Sequence, residues 1–307
     1  MKKIKLYIMV AVVLFSGCKK EKITKENAMK MQEFVINIAQ HARQKQQNFI
    51  IIPQNGCELA FSAADPEEGI NYNYLNAIDG MGIEELFYNG SAETDNERLD
   101  MLRQIKNSEK ILVSDYVSNN SNAADATQKN RNEGFVPFVR TSNNYDYIEI
   151  PALTNANHRD ITQLSEIENY LYLIGTDNFG TKESFLNAIS ATDYDLVLID
   201  LFFEEVSFSA ADIARLKTKA NGGKRLVIAY ISIGSAENYR YYWQSGWKKG
   251  NPSWLKKRYE GYPDEFWVEY WHSDWQSIIF DYIDKIITAG FDGAYLDNVE
   301  AYYFLEH

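Results

Sequence analysis

Asp292-Gly-Ala-Tyr-Leu-Asp297 and Asp195-Leu-Val-Leu-Ile-Asp200 share one design: an acid, four largely apolar residues, and a second acid. Asp79-Gly-Met-Gly-Ile-Glu84 repeats the spacing, and Lys110-Ile-Leu-Val-Ser-Asp115 ends in the same way. An apolar run without alternation marks a strand covered on both faces, as in a parallel sheet sheathed by helices. Side chains five positions apart along a strand point to opposite faces. The leading Asp of each pair is therefore expected to cap the strand start outside the sheet. The trailing acid is expected to point elsewhere, toward the open end.

Working outward, further strand-like runs lie at Phe49-Ile52, Ala77-Glu84, Lys110-Asp115, Phe135-Val139, Tyr170-Ile174, Asp195-Leu201, Arg225-Ile231 and Asp292-Asp297. Helical patterns fall between most of them. Met29-Arg43 carries Met31, Phe34, Val35 and Ile38 at helical spacing. Asn96-Ile105 and Lys182-Ile189 are shorter amphipathic segments. Ser209-x-x-Asp212 forms a capping box ahead of a helix stopped by Asn221-Gly222-Gly223. Ser273 stands where it can cap a helix ending at Gly290. Eight strands with interleaved helices predict an α/β chain folded as a (β/α)8 TIM-type barrel. A doubly wound sheet fits the same pattern. No Gly-x-Gly-x-x-Gly follows any strand, which argues against a dinucleotide site.

The N-terminus reads as an export signal. Lys2, Lys3 and Lys5 precede an apolar run from Leu6 to Phe15, closed by Ser16-Gly17-Cys18. The expected division is a signal peptide over 1–17, a lipoprotein tether over 18–25 starting at a lipidated Cys18, and a single barrel over 26–307. This implies a cell-envelope lipoprotein, periplasmic or anchored at the outer membrane, expected to be a monomer. The formal net charge is -12, and losing the three lysines makes the remainder more acidic still. Such a surface repels nucleic-acid phosphates and suits a neutral or cationic ligand. Beyond Cys18 only Cys57 remains, so no disulfide framework or zinc site is expected. No spacing signals a metal or an organic cofactor. There is no Gly-x-Ser-x-Gly elbow, and His158 and His272 read as structural.

Catalytic residues of such barrels sit where strands end and the following loops begin. Glu84, Asp115, Asp200 and Asp297 fall there. Paired carboxylates are what glycoside cleavage needs: one protonated, to donate to the leaving oxygen, and one ionised, to attack the anomeric carbon or activate water. Like charges held close push the two pKa values apart. All 6 Trp residues lie between Trp243 and Trp275, in a segment far longer than an ordinary loop after a strand. Aromatic rings there, Trp271 among them, could form one wall of a sugar-binding cleft, the remainder packing the loop.

Asp195-Leu-Val-Leu-Ile-Asp200, Val227-Ile-Ala-Tyr-Ile-Ser-Ile-Gly234 with Ala-Glu-Asn-Tyr-Arg240, and Phe291-Asp-Gly-Ala-Tyr-Leu-Asp-Asn298 resemble the endo-alpha-1,4-polygalactosaminidase-like glycoside hydrolase family. Within it they are most similar to the bacterial and archaeal branch once mislabelled as cysteinyl-tRNA-synthetase-related. Phe49-Ile-Ile-Ile-Pro-Gln-Asn-Gly56 and Gly82-Ile-Glu-Glu-Leu-Phe-Tyr88 also resemble that branch. The resemblance implies a TIM-type barrel but in a different order, the family's second half preceding its first. A circularly permuted barrel accounts for this, because a closed barrel brings its ends together. The Met29-Arg43 helix and the Phe49 strand would then follow the Asp297 strand in space. The old termini would be joined through 141–169, with the Phe135 and Tyr170 strands paired.

By the same resemblance, Asp297 matches the family's nucleophile or base and Glu84 its general acid. Asp200, Tyr230, Glu237, Gln54 and Asp115 match positions lining the pocket. Ser235 stands where the family often has Glu. The implied function is an endo-acting glycoside hydrolase on an amino-sugar-containing or related polysaccharide. The alternatives are a non-catalytic glycan-binding lipoprotein on the same barrel and a metal-dependent hydrolase using the same acids.

Overall fold

The computed structural model describes residues 3–143 and 145–305, with side chains described from residue 24 onward. The export signal and Cys18 fall outside the residues whose side chains are described. All eight expected strands are present: β1 (Ile50–Pro53), β2 (Gly80–Ala92), β3 (Lys110–Val117), β4 (Val136–Arg140), β5 (Tyr170–Tyr172), β6 (Leu196–Asp200), β7 (Leu226–Ser232) and β8 (Gly293–Asp297). They form two parallel sheets, ordered β1-β8-β7-β6-β5 and β2-β3-β4. A single parallel bridge between Gln54 and Gly82 joins β1 to β2. Each strand thus lies beside its neighbour in sequence and β8 lies beside β1, the strand order of a TIM-type fold.

The seam between β4 and β5 differs from expectation. These strands lie side by side, but no ladder joins them among the described residues. Four aromatic rings fill the seam. Phe138 of β4 packs 5.6 Å from Tyr170 and 6.3 Å from Tyr172 of β5, and Tyr147 stacks on Tyr172 at 3.7 Å. Among the described residues the connection over 141–169 also contributes no α-helix, only a 3-10 turn at Leu164–Glu166. Side-chain stacking, not main-chain hydrogen bonding, occupies this edge.

The leading acids act as anticipated at the amino ends of the strands. Asp79, Asp195 and Asp292 accept the backbone N–H of Ile51, Glu168 and Val227 at 2.8, 2.9 and 2.9 Å. Each also holds a cation: Arg43 at 2.8 Å, Lys219 at 2.6 Å and Lys217 at 2.7 Å. The same device therefore pins three adjacent pairs of strands.

Besides the single-turn helix Tyr72–Leu75, six helices sheath the strands among the described residues: α1 (Lys3–Lys45), α2 (Asn96–Ile105), α3 (Ala123–Glu133), α4 (Lys182–Ser190), α5 (Ala210–Leu216) and α6 (Ser273–Ala289). α1 begins well before Met29, and its Met31, Phe34, Val35 and Ile38 are fully buried. It packs on α6 and on the 3-10 turn Val299–Tyr303 that follows β8. His41 stacks on Phe280 at 4.8 Å between α1 and α6. The capping box at Ser209 and Asp212 is present. On α6 the cap is His272 rather than Ser273, its ring accepting the Asp274 N–H at 3.2 Å. The interior between the two sheets is tight. A Cβ on Gly82 would lie 1.8 Å from the Tyr295 hydroxyl, so glycine there lets the β8 tyrosine cross the interior.

Candidate active site

A cavity of about 1030 Å³ opens at the carboxyl ends of the strands. Glu84, Asp200 and Asp297, trailing acids of three of the repeats, line it together with Gln54, Tyr230 and Glu237. Strand register explains the arrangement. Asp200 and Asp297 end their strands, level with Tyr230 and Ser232 of β7. Glu84 is level with Ser114 of β3 and is the last laddered residue before a bulge in β2.

Asp115 is not in the cavity. Because Ser114 faces the interior, alternation turns Asp115 outward toward α3, where it is fully buried. It accepts the N–H groups of Phe87 and Tyr88 at 2.9 and 3.1 Å and the Asn130 amide at 2.7 Å. Its role is to hold the β2 bulge, where Glu85 has φ +55°. The expected ligand contact is thus an internal anchor for the backbone next to Glu84.

The segment after β7 does form a wall, but not with its tryptophans. It folds as an antiparallel sheet of Ser235–Glu237, Leu255–Tyr259 and Tyr262–Val268. Tyr239, Arg240, Tyr259, Tyr262 and Glu265 present it to the cavity. Trp254, Trp267 and Trp275 are buried, and no Trp lines the cavity among the described residues. Trp271, expected to touch sugar, lies beneath the Lys30 ammonium at 4.0 Å, on the α1 side.

The two candidate catalytic acids have different partners. Asp297 Oδ2 accepts the Tyr230 hydroxyl at 2.6 Å, and Oδ1 accepts the Asn298 backbone N–H at 2.7 Å. Glu84 Oε1 accepts the Tyr147 hydroxyl at 2.6 Å, and Oε2 faces the Asn55 amide at 3.3 Å. Tyr147 is also 3.0 Å from Ser114 Oγ. Burial, and then the charge of Glu84, push the Asp297 carboxyl up to about 7. Arg240 sits between Asp200 (2.9 Å) and Glu237 (2.6 Å), so its charge is already matched. Glu237 also accepts the Tyr239 hydroxyl.

Three lining residues escaped the sequence reading. Tyr147 enters from the 141–169 connection, with φ +45°, and nothing in the sequence pairs it with Glu84. Glu265 lies opposite Glu237 in the antiparallel sheet and accepts the Ser235 hydroxyl at 2.9 Å. Burial and the Glu237 charge raise it to about 8. Ser235 itself is buried within a cluster with Ser232 and Asn298. Glu300 follows β8 in the 3-10 turn. Its place three residues after Asp297 was the one available signal. Among the described residues no three His, Cys, Asp or Glu side chains converge as a cation site.

Residues 179–307 match glycoside-hydrolase family GH114. This segment is similar to that family. It includes Asp200, Tyr230, Glu237 and Asp297, whereas Glu84 and Gln54 come from the part of the chain before it. A protein described as uncharacterized from Deinococcus radiodurans is 40% identical over 129 residues, 42% of this chain and 40% of its own length. One from Methanocaldococcus jannaschii is 36% identical over 149 residues, 48% of this chain and 41% of its own. One from Thermotoga maritima is 32% identical over 114 residues, 37% of this chain and 35% of its own. The chain therefore matches less than half the length of each of these relatives. The carboxylate ending β8, within the matched segment, and Glu84 of β2, outside it, line the same cavity.

Proposed function

We propose that the chain is an endo-acting glycoside hydrolase that cleaves an amino-sugar-containing polysaccharide with Glu84 as proton donor and Asp297 as its ionised partner. The observation that carries this reading is two carboxyls lining one cavity, each with one oxygen on a tyrosine hydroxyl. The burial and mutual charge that push Asp297 up to about 7 leave the pair holding a proton near neutral pH. Asp297 Oδ1 faces a backbone N–H, a donor that cannot reverse. Glu84 faces the Tyr147 hydroxyl, which can donate to the carboxylate or accept from the carboxylic acid and turn its own proton to Ser114. Glu84 Oε1 therefore has a partner that suits a carboxylic acid as well as a carboxylate, which is what a proton donor needs.

In the reaction, the Glu84 proton passes to the glycosidic oxygen as the bond to the anomeric carbon breaks. The Asp297 carboxylate then either bonds to that carbon or takes a proton from the attacking water. The amino-sugar preference rests on charge. The cavity is lined with many acids, and its inner cation, Arg240, is already paired.

The same proposal takes the barrel as circularly permuted. Support comes from the relatives: each match spans less than half of either chain, as a colinear comparison of rotated orders would. Export and a lipid on Cys18 would place the enzyme, as a monomer, at the cell envelope. The test is incubation of the chain with partly deacetylated galactosaminoglycan and a panel of other polysaccharides, with product sizes read out. Shortened chains from an amino-sugar polymer are the expected result. Tight binding without shortening would instead make the protein a glycan-binding module.

A further inference from the structure

Each of the acids deepest in the cavity has a partner within the protein, with one exception. Glu84 faces Tyr147 and Asn55, Asp297 faces Tyr230 and the Asn298 N–H, Asp200 and Glu237 share Arg240, and Glu265 accepts from Ser235. Glu300 lines the same cavity but makes no hydrogen bond or ion pair with any described residue. The nearby Arg98 does not serve it, because its guanidinium is taken by Asp95 and the carbonyl oxygens of Glu84 and Glu85. A half-buried carboxyl without an internal donor finds one in water or in a ligand.

We propose that Glu300 selects substrates carrying a free amino group, accepting a charged N–H···O bond from the ammonium inside the cavity. This rests on the hydrolase reading above and adds to it a specificity-determining residue. Both a sugar hydroxyl and an ammonium can reach a carboxyl, but they differ in charge. Burial, then Glu58, and further Glu84 and Asp297 disfavour a negative charge on Glu300 by more than the Arg98 charge favours it, raising it to about 7. A neutral hydroxyl leaves that repulsion in place, whereas a cation offsets it for every carboxylate nearby. A divalent metal would need several oxygen ligands around it, and no such cluster exists among the described residues. The chemistry that fits is a primary ammonium on a sugar ring.

The test compares kcat/KM of the whole chain on a galactosamine oligosaccharide and on its fully N-acetylated counterpart. The wild type should prefer the free amine. Glu300→Gln keeps the shape but not the charge, and should reduce the preference ratio about tenfold or more, the range for a hydrogen bond to a charged group. Glu300→Asp should restore part of it. The acetylated substrate also reports whether Glu300→Gln has folded. An unchanged ratio in Glu300→Gln, or equal losses on both substrates, overturns the role of Glu300 and leaves the hydrolase reading standing. Cleavage of neither substrate by the wild type overturns both.

Discussion

Tyr230→Phe distinguishes the two possible roles of Asp297. The Tyr230 hydroxyl donates to Asp297 Oδ2 at 2.6 Å, in the range of a short O–H···O⁻ bond, and so favours the ionised carboxylate. A hydrogen bond to a charged group contributes about 1.5–3 kcal/mol. At about 1.4 kcal/mol per unit of pKa, its loss raises the carboxyl by about one to two units. The starting point is about 7, so the substitution moves Asp297 to the alkaline side of neutrality. With Asp297 required in its ionised form, the acid limb of kcat/KM should shift up by that amount. Activity at neutral pH should fall about 5- to 50-fold and recover as the pH rises. The assay is a pH–rate profile of kcat/KM on an aryl glycoside or a defined oligosaccharide. If the alkaline limb moved up instead and neutral activity held, Asp297 would be the proton donor and the assignment would be inverted. A profile that did not move at all would refute the coupling between this hydroxyl and catalysis.

Two further outcomes follow from the geometry. Lys219→Met leaves the Asp195 carboxylate fully buried without its cation, and should cost about 3–5 kcal/mol in a denaturant melt; adding Asp195→Asn should recover part of the loss. Gly234→Ala places a Cβ 1.9 Å from the Asn298 carbonyl oxygen, which displaces the backbone that donates to Asp297; kcat/KM should drop about tenfold or more while far-UV circular dichroism stays native-like.

The sequence exposed the strands because their signal is local. Continuous apolar runs bounded by acids placed β6, β7 and β8 within a residue or two, and the leading Asp residues proved to be strand caps. α3 was missed because Ala123–Glu133 buries little beyond Ala126 and Asn130, too few positions to set a helical period. Asp115 was misplaced because a strand-end acid can lie on either face. Only the register of Glu84 against Ser114 decides which, and register is a tertiary property. The tryptophans illustrate another limit. Their clustering correctly marked a long insertion at the cavity, but large rings close in sequence bury one another first, as Trp254 and Trp275 do at 5.2 Å. Tyr147, Glu265 and Glu300 reach the cavity from three separate segments. Tyr147 and Glu265 carry no sequence signal that they meet the acid pair, whereas Glu300 was signalled only by its closeness to Asp297.

Cleavage by Asp297→Asn measured beside the wild type is the most direct test of the account. The substitution keeps the size of the side chain and an oxygen acceptor but removes the charge that stabilises an oxocarbenium-like centre. On a polysaccharide that the wild type shortens, the variant should yield no detectable product while binding the polymer and melting near the wild-type temperature. Cleavage by Asp297→Asn at the wild-type rate would contradict the account.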